Sequence, residues 1–171
     1  NLRHVVITSV NRDELKDGGA SIFAESIRLI REKNSECTIE ILIPDFKGDE
    51  DSFNIIMNNP PDILNHNLET VKSLYHAVRP QAKYERSLEL INWFHSKGLR
   101  TKSGIMVGIG ETYEQVIELM KDLRNHNCDI LTIGQYLQPT KNHLPVDRYV
   151  TLDEFAKYKD EGLKMGFKAV E

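Results

Sequence analysis

Short apolar or β-branched runs alternate along the chain with segments whose apolar residues recur at helical spacing. The runs fall at 4–10, 38–43, 62–65, 101–107, 129–137 and 167–170. Between them Ala20, Phe23, Ala24, Ile27 and Ile30 share one helical face, and so do Leu68, Val71, Leu74, Tyr75 and Val78. Thr112 with Gln115, and Thr151 with Glu154, each carry the spacing of a capping box, in which two side chains satisfy the free amides of a helix start. The first box precedes the stripe Val116, Ile117, Met120 and Leu123; the second precedes Phe155 and Tyr158. Leu88, Ile91 and Phe94 predict another helix, ended by Gly98. Pro60 and Pro61 close a short helix around 52–57.

Six strands joined by helical crossovers predict a parallel sheet, because parallel neighbours need a long connection. Strand starts lie roughly 24–39 residues apart, the reach of a βα unit. No Gly-x-Gly-x-x-Gly follows the first strand, which argues against a dinucleotide-binding fold. The expected architecture is therefore α/β, a (β/α) barrel or most of one, with residues 1–171 as a single domain. In such a fold the chemistry sits where strands end and loops begin.

Composition narrows the classes. The 171 residues are enough for one domain with a real core. A net charge of −4 without a long basic run gives no nucleic-acid track. The apolar runs are too short to cross a bilayer, and no leading segment reads as a secretion signal. Only two cysteines occur, Cys37 and Cys128, each just before a strand. They read as small packing residues in a reducing, cytoplasmic setting, and no spacing supports a zinc site. The chain starts at Asn1 directly before a strand and stops at Glu171 as another begins, so both ends read as cuts.

The polar residues gather at the strand ends. They comprise Ser9, Asn11, Arg12 and Asp13 with Asp17-Gly18-Gly19; Pro44-Asp45; Asn65, His66, Asn67 and Glu69; Gly108 to Glu111; and Gln135, Tyr136, Leu137 and Gln138. Five consecutive ends rich in amides, hydroxyls and charges predict one polar ligand with many contacts in the mouth. Some of these residues have a plainer role: Gly18-Gly19 suits a helix start, and His66 suits a core or capping position. Lys102 stands inside a strand, where a barrel interior favours apolar groups, so its ammonium requires a partner. Alternation puts Lys102, Gly104 and Met106 on one face and Thr101, Ser103, Ile105 and Val107 on the other, without deciding which looks inward.

These strings also carry a resemblance. His4-Val5-Val6-Ile7-Thr8-Ser9-Val10-Asn11-Arg12-Asp13, then Leu42-Ile43-Pro44-Asp45-Phe46, Asn65 to Thr70, Thr101 to Gly108, and Thr132 to Pro139 with His143-Leu144-Pro145-Val146 resemble the lipoyl synthases, in order and over essentially the whole chain. The resemblance implies a partial (β/α)₆ TIM-like barrel of the radical S-adenosylmethionine (SAM) type, its first strand missing from this segment. It implies SAM and two [4Fe-4S] clusters in the full-length protein, with all cluster ligands outside this segment and no metal ligand within it. It implies a sulfurtransferase that inserts two sulfur atoms at C6 and C8 of an octanoyl chain on a lipoyl-carrier protein or domain, fed by an electron donor protein.

By the same resemblance, the turn from Ser9 through Asn11 to Asp13 receives the methionine ammonium, and Asn65, Asn67 and Glu69 face the ribose. Gly108 to Glu111 lies against adenine, and Gln135, Tyr136, Leu137 and Gln138 finish its edge. Lys102 or Arg86 meets the methionine carboxylate or the carrier peptide, and Arg12 also faces the substrate. The chain alone, without clusters, should be inactive. The alternatives are another radical SAM sulfur inserter akin to biotin synthase, or a non-catalytic barrel that binds a nucleotide or a partner protein.

Overall fold

The computed structural model describes residues 2–171. Six strands form one sheet: β1 (His4–Thr8), β2 (Thr38–Leu42), β3 (Ile63–Asn65), β4 (Arg100–Val107), β5 (Ile130–Gln135) and β6 (Ala169–Val170). They stand side by side in sequence order, and every neighbouring pair is parallel. The sheet does not close; β1 and β6 are its two edges. Residue 1 lies outside the described residues.

The helices are α1 (Ala20–Lys33), α2 (Glu50–Met57), α3 (Tyr75–Val78), α4 (Tyr84–Ser96), α5 (Tyr113–Asn125) and α6 (Leu152–Lys164). Their apolar stripes pack on one face of the sheet. Ile39, Ile41, Leu64, Ile105, Val107, Leu131 and Ile133 meet Phe23, Ile27, Phe53, Ile56, Ile91, Phe94, Val116, Met120 and Leu123 in a single core. Both predicted capping boxes form, with Thr112 and Thr151 accepting from the amides of Gln115 and Glu154. At the opposite rim two aspartates repeat one device. Asp62, just before β3, accepts from the Ile39 amide of β2 at 2.8 Å, and Asp129, just before β5, accepts from the Thr101 amide of β4 at 3.1 Å. Each carboxylate thereby pins a strand start to its neighbour.

One predicted element is absent. Leu68, Val71, Leu74, Tyr75 and Val78 do not share a helix. The chain after β3 keeps running along β4: the Glu69 amide donates to the Gly104 carbonyl at 3.0 Å, and the Met106 amide donates to the Glu69 carbonyl at 2.8 Å. Glu69 turns with φ 71°, and only a 3-10 turn at Lys72–Leu74 and the single turn of α3 follow. Pairing with β4 satisfies backbone groups that a helix would otherwise have to satisfy. Leu68 and Val71 are buried all the same, by packing beside β4.

Candidate functional site

The sheet curves so that the face away from the helices is concave. Lys102, Gly104 and Met106 line it together with Val6, Glu40, Asn65, Asn67, Glu69, Thr132 and Gly134, around a cavity of ≈ 380 Å³. Thr101, Ser103, Ile105 and Val107 are buried on the other side. The alternation of β4 is thereby resolved: the lysine faces the concavity.

The partner of Lys102 is Glu40 on β2, a residue that the sequence pattern does not single out. The ammonium donates to both carboxylate oxygens, at 3.0 and 3.3 Å. Glu40 also accepts from the Asn65 amide nitrogen at 3.0 Å, and its side chain is only 4% exposed. A buried carboxylate with one charged and one neutral donor is well compensated. Lys102 is thus tied to Glu40 within the barrel, with one of its three N–H donors left over. A strand interrupted by one charge signals that a partner exists, but not which strand supplies it.

Two and four residues past the end of β3, Asn67 and Glu69 stand nearer the mouth. Burial raises the Glu69 carboxyl above its usual range, while Arg79 and the Asn67 side chain pull it back. The Asn67 backbone carbonyl accepts from the Arg79 guanidinium at 2.8 Å. The Asn67 amide oxygen occupies the space where a Cβ of Gly104 would stand. At Gly134 a Cβ would meet nothing within 4 Å, so β5 offers bare backbone to the cavity.

Other candidates are engaged by the chain itself. The buried Glu111 carboxylate accepts from the Gly108 and Ile109 amides at 2.6 and 2.9 Å and so closes its own loop. The Gln135 side chain donates to the Arg148 carbonyl at 3.1 Å and accepts from the Val150 amide at 2.8 Å. A Cβ at Gly108 would fall on that same Arg148 carbonyl, so the glycine makes room for the returning chain. Tyr136 is buried with its hydroxyl on the Leu144 carbonyl, whereas Leu137 is exposed. Gln138 donates to the His143 carbonyl at 2.8 Å. Tyr136, Leu137, Met106, Ile109 and Leu144 line a second depression of ≈ 370 Å³, which Glu69 joins to the first.

The β1 end is more open. Asn11 and Asp13 are exposed and share a depression with Asp45, Arg79, Gln81 and Arg86. Arg86 is held by Asp45 at 2.8 Å, and Asp13 by Lys47 at 3.3 Å. Ser9 and Arg12 instead border the hollow between β1 and α1, on the outer side. His66 takes the core position its type suggested: one ring nitrogen meets the Ile43 carbonyl and the other the Ser87 hydroxyl, each at 2.9 Å. Cys37 and Cys128 are both buried, at the starts of β2 and β5, and burial pushes the Cys128 thiol up to about 12. Among the described residues, no group of three or more His, Cys, Asp or Glu side chains is placed to hold a metal ion. Among them, too, no helix is long and apolar enough to cross a membrane.

A model of the radical SAM superfamily matches residues 1–123. The chain is 59% identical over 172 residues to a lipoyl synthase of Rubrobacter xylanophilus, covering 99% of the chain and 54% of that protein. It is 57% identical over 171 residues to a lipoyl synthase of Chlorobaculum parvum, again covering 99% of the chain, with 59% of that protein. A lipoyl synthase of Flavobacterium johnsoniae is 54% identical across the whole chain, over 60% of its own length. The chain thus spans 54–60% of the length of these curated relatives. Among solved structures, methylornithine synthase shares the fold with a TM-score of 0.76 at 18% identity, covering 98% of this chain and 49% of that one. Streptococcus suis SuiB bound to S-adenosylmethionine shares it at 0.65 with 13% identity, covering 92% of this chain and 35% of that one.

Proposed function

The chain belongs to the radical SAM superfamily, and from that premise we propose that it is most of the barrel of a lipoyl synthase, folded as one domain. What carries this reading is the identity of 54–59% to lipoyl synthases across 99–100% of the chain. The whole protein inserts two sulfur atoms at C6 and C8 of an octanoyl chain carried on a lipoyl-carrier protein or domain. An electron donor protein serves it, in the cytoplasm.

The concave face fits a polar nucleoside: it has bare backbone at Gly134 and paired polar side chains at Asn67 and Glu69. When bound there, SAM supplies the hydrogen abstraction. Asn67 and Glu69 hold the ribose hydroxyls, and Arg79 fixes that stretch of backbone from behind. Asn65 lies deeper, its amide nitrogen held by Glu40, which leaves the ribose chiefly to the other two. Asn11 and Asp13 offer a carbonyl edge and a carboxylate to the methionine ammonium, which has three donors to place. The depression from Ile109 to Leu137 takes the adenine edge. Glu111, Gln135 and Gln138 shape it by holding their loops, and Lys102 and Arg86 are bound to Glu40 and Asp45.

The residues present do not fit an iron–sulfur cluster. Two buried thiols on non-adjacent strands cannot supply the cysteines such a cluster needs. We therefore assign both clusters to ligands outside residues 1–171.

The test uses the full-length protein with its clusters reconstituted, SAM, a reductant and an octanoylated carrier peptide. A lipoyl-peptide mass with 5′-deoxyadenosine in the supernatant is the expected result. Turnover of dethiobiotin in place of the octanoyl peptide would move the protein to the biotin-synthase relatives. Nucleotide binding with no 5′-deoxyadenosine would make it a binding barrel.

A further inference from the structure

Behind the Asn67–Glu69 stretch lies a closed ring of hydrogen bonds. The Arg79 Nη1 donates to the Asn67 carbonyl at 2.8 Å and to the Tyr75 hydroxyl at 2.9 Å. The Tyr75 hydroxyl meets the Ser87 hydroxyl, which in turn meets the His66 Nε2, each at 2.9 Å. His66 precedes Asn67 in the chain, so the peptide bond between them closes the ring. Tyr75, Ser87 and His66 are all buried, and the guanidinium also stands 5.6 Å from the centre of the Tyr75 ring.

The groups at the two ends have fixed chemistry, and together they set every proton between them. The Ile43 carbonyl can only accept, so the His66 Nδ1 carries the hydrogen. Burial holds the His66 pKa down to about 4, so at neutral pH the imidazole is neutral and its Nε2 must accept. The single hydrogen of Ser87 therefore goes to His66, and the hydrogen between the two hydroxyls comes from Tyr75. The Tyr75 oxygen is then left to accept from Arg79, which can only donate. Donation thus runs one way, from Arg79 through Tyr75, Ser87 and His66 to Ile43. Buried hydrogen bonds ordered in this way polarise one another and hold their members rigidly.

We propose that Tyr75, Ser87 and His66 are positioning residues for the nucleoside site: their one-way relay fixes Arg79 on the Asn67 carbonyl and so holds Asn67 and Glu69 where they meet the ribose. The proposal rests on the ribose reading above. Glu69 needs holding, because its φ of 71° is a left-handed conformation that side chains larger than glycine rarely adopt. On one side the stretch is tied to β4 through the Glu69 amide and carbonyl. On the other, Arg79 reaches it through the Asn67 carbonyl. Without the Tyr75 hydroxyl, Arg79 keeps its charge but loses the second point that orients it. The long side chain must then be ordered when the ligand binds, at the expense of affinity.

The experiment uses full-length, cluster-loaded protein without reductant, so that nothing turns over. It is titrated by calorimetry with SAM and with the SAM analogue that lacks the ribose 2′-hydroxyl. Wild type should prefer SAM by about tenfold, the effect of removing one hydrogen bond to a charged partner. Tyr75→Phe keeps the ring and removes the hydroxyl; it should cut that preference about threefold, the effect of one long side chain left to be ordered on binding. Ser87→Ala should do the same from the middle of the relay. A variant that loses affinity for both ligands alike, with the preference intact, overturns the positioning role. Nitrogen NMR of wild type with isotope-labelled histidine reads the tautomer of the ring that contacts Tyr75 and Ser87. It should carry its hydrogen on Nδ1; a hydrogen on Nε2 overturns the relay even if neither variant folds. A wild type that binds SAM without preferring it to the analogue overturns the ribose reading instead.

Discussion

His66 shows how far one side chain's environment can be turned into an expectation. Burial lowers its pKa from 6.5 to about 4, so the folded protein keeps the ring neutral while the unfolded chain protonates it below 6.5. Stability from this site is fully present above that value and is lost as pH falls through the window from 6.5 to 4, by up to about 1.4 kcal/mol per unit. Urea unfolding at pH 7.5 and pH 5 should show the loss, and His66→Gln should flatten it; equal slopes in both proteins would refute the assignment. Gly108 offers a second case. With φ 93° and the Arg148 carbonyl where its Cβ would stand, Gly108→Ala should cost about 2–4 kcal/mol. Gly110 also has positive φ but open space, so Gly110→Ala should cost only about 1 kcal/mol, and thermal melts of the two variants would rank them. The need of Lys102 for a partner was legible in the sequence, because a charge inside a strand is costly. That Glu40 supplies it was not, since alternation assigns faces and says nothing about which residues meet across a curved sheet. Glu111 was legible as polar and loop-borne, yet its acceptors close on the two amides beside it, a local choice that spacing does not reveal.

At the scale of elements, periodicity and caps carried most of the information. The strand runs and five of the helical segments were legible, with β1 and β5 ending two residues earlier than their apolar runs. The capping boxes of α5 and α6 are real contacts, so Thr112→Ala and Thr151→Ala should each destabilise by about 1 kcal/mol. Differential scanning calorimetry of the two single variants and the double should give additive losses, because the helices start at separate strand ends. The segment after β3 misled for a physical reason. Residues 68, 71, 74, 75 and 78 have helical spacing, but Leu68 and Val71 are buried as the chain bridges to β4. An extended stretch that turns at Glu69 buries the same positions as a helix would, and spacing alone cannot separate the two.

For the molecule as a whole, the decisive feature is a sheet that leaves β1 unpaired on one side. Val6 is 55% exposed and Val10 77%, beside a row of free backbone groups. Edges of this kind associate. The 171-residue chain should therefore show a concentration-dependent mass in size-exclusion chromatography with light scattering, and Val6→Lys should shift it toward the monomer. A single monomeric mass from micromolar to millimolar protein would count against an available edge. That the fold was a parallel barrel, or most of one, was legible from the βα alternation, and its missing first strand from the resemblance; the Glu40–Lys102–Asn65 cluster inside it was not, because it joins residues of three strands. The strict sequence order of those strands has a consequence of its own. No strand must wait for a later one to be slipped in beside it, so each βα unit finds its dock already built by the unit before. The polypeptide can therefore assemble in step with translation, its first half already a layered crescent while the ribosome is still making the second.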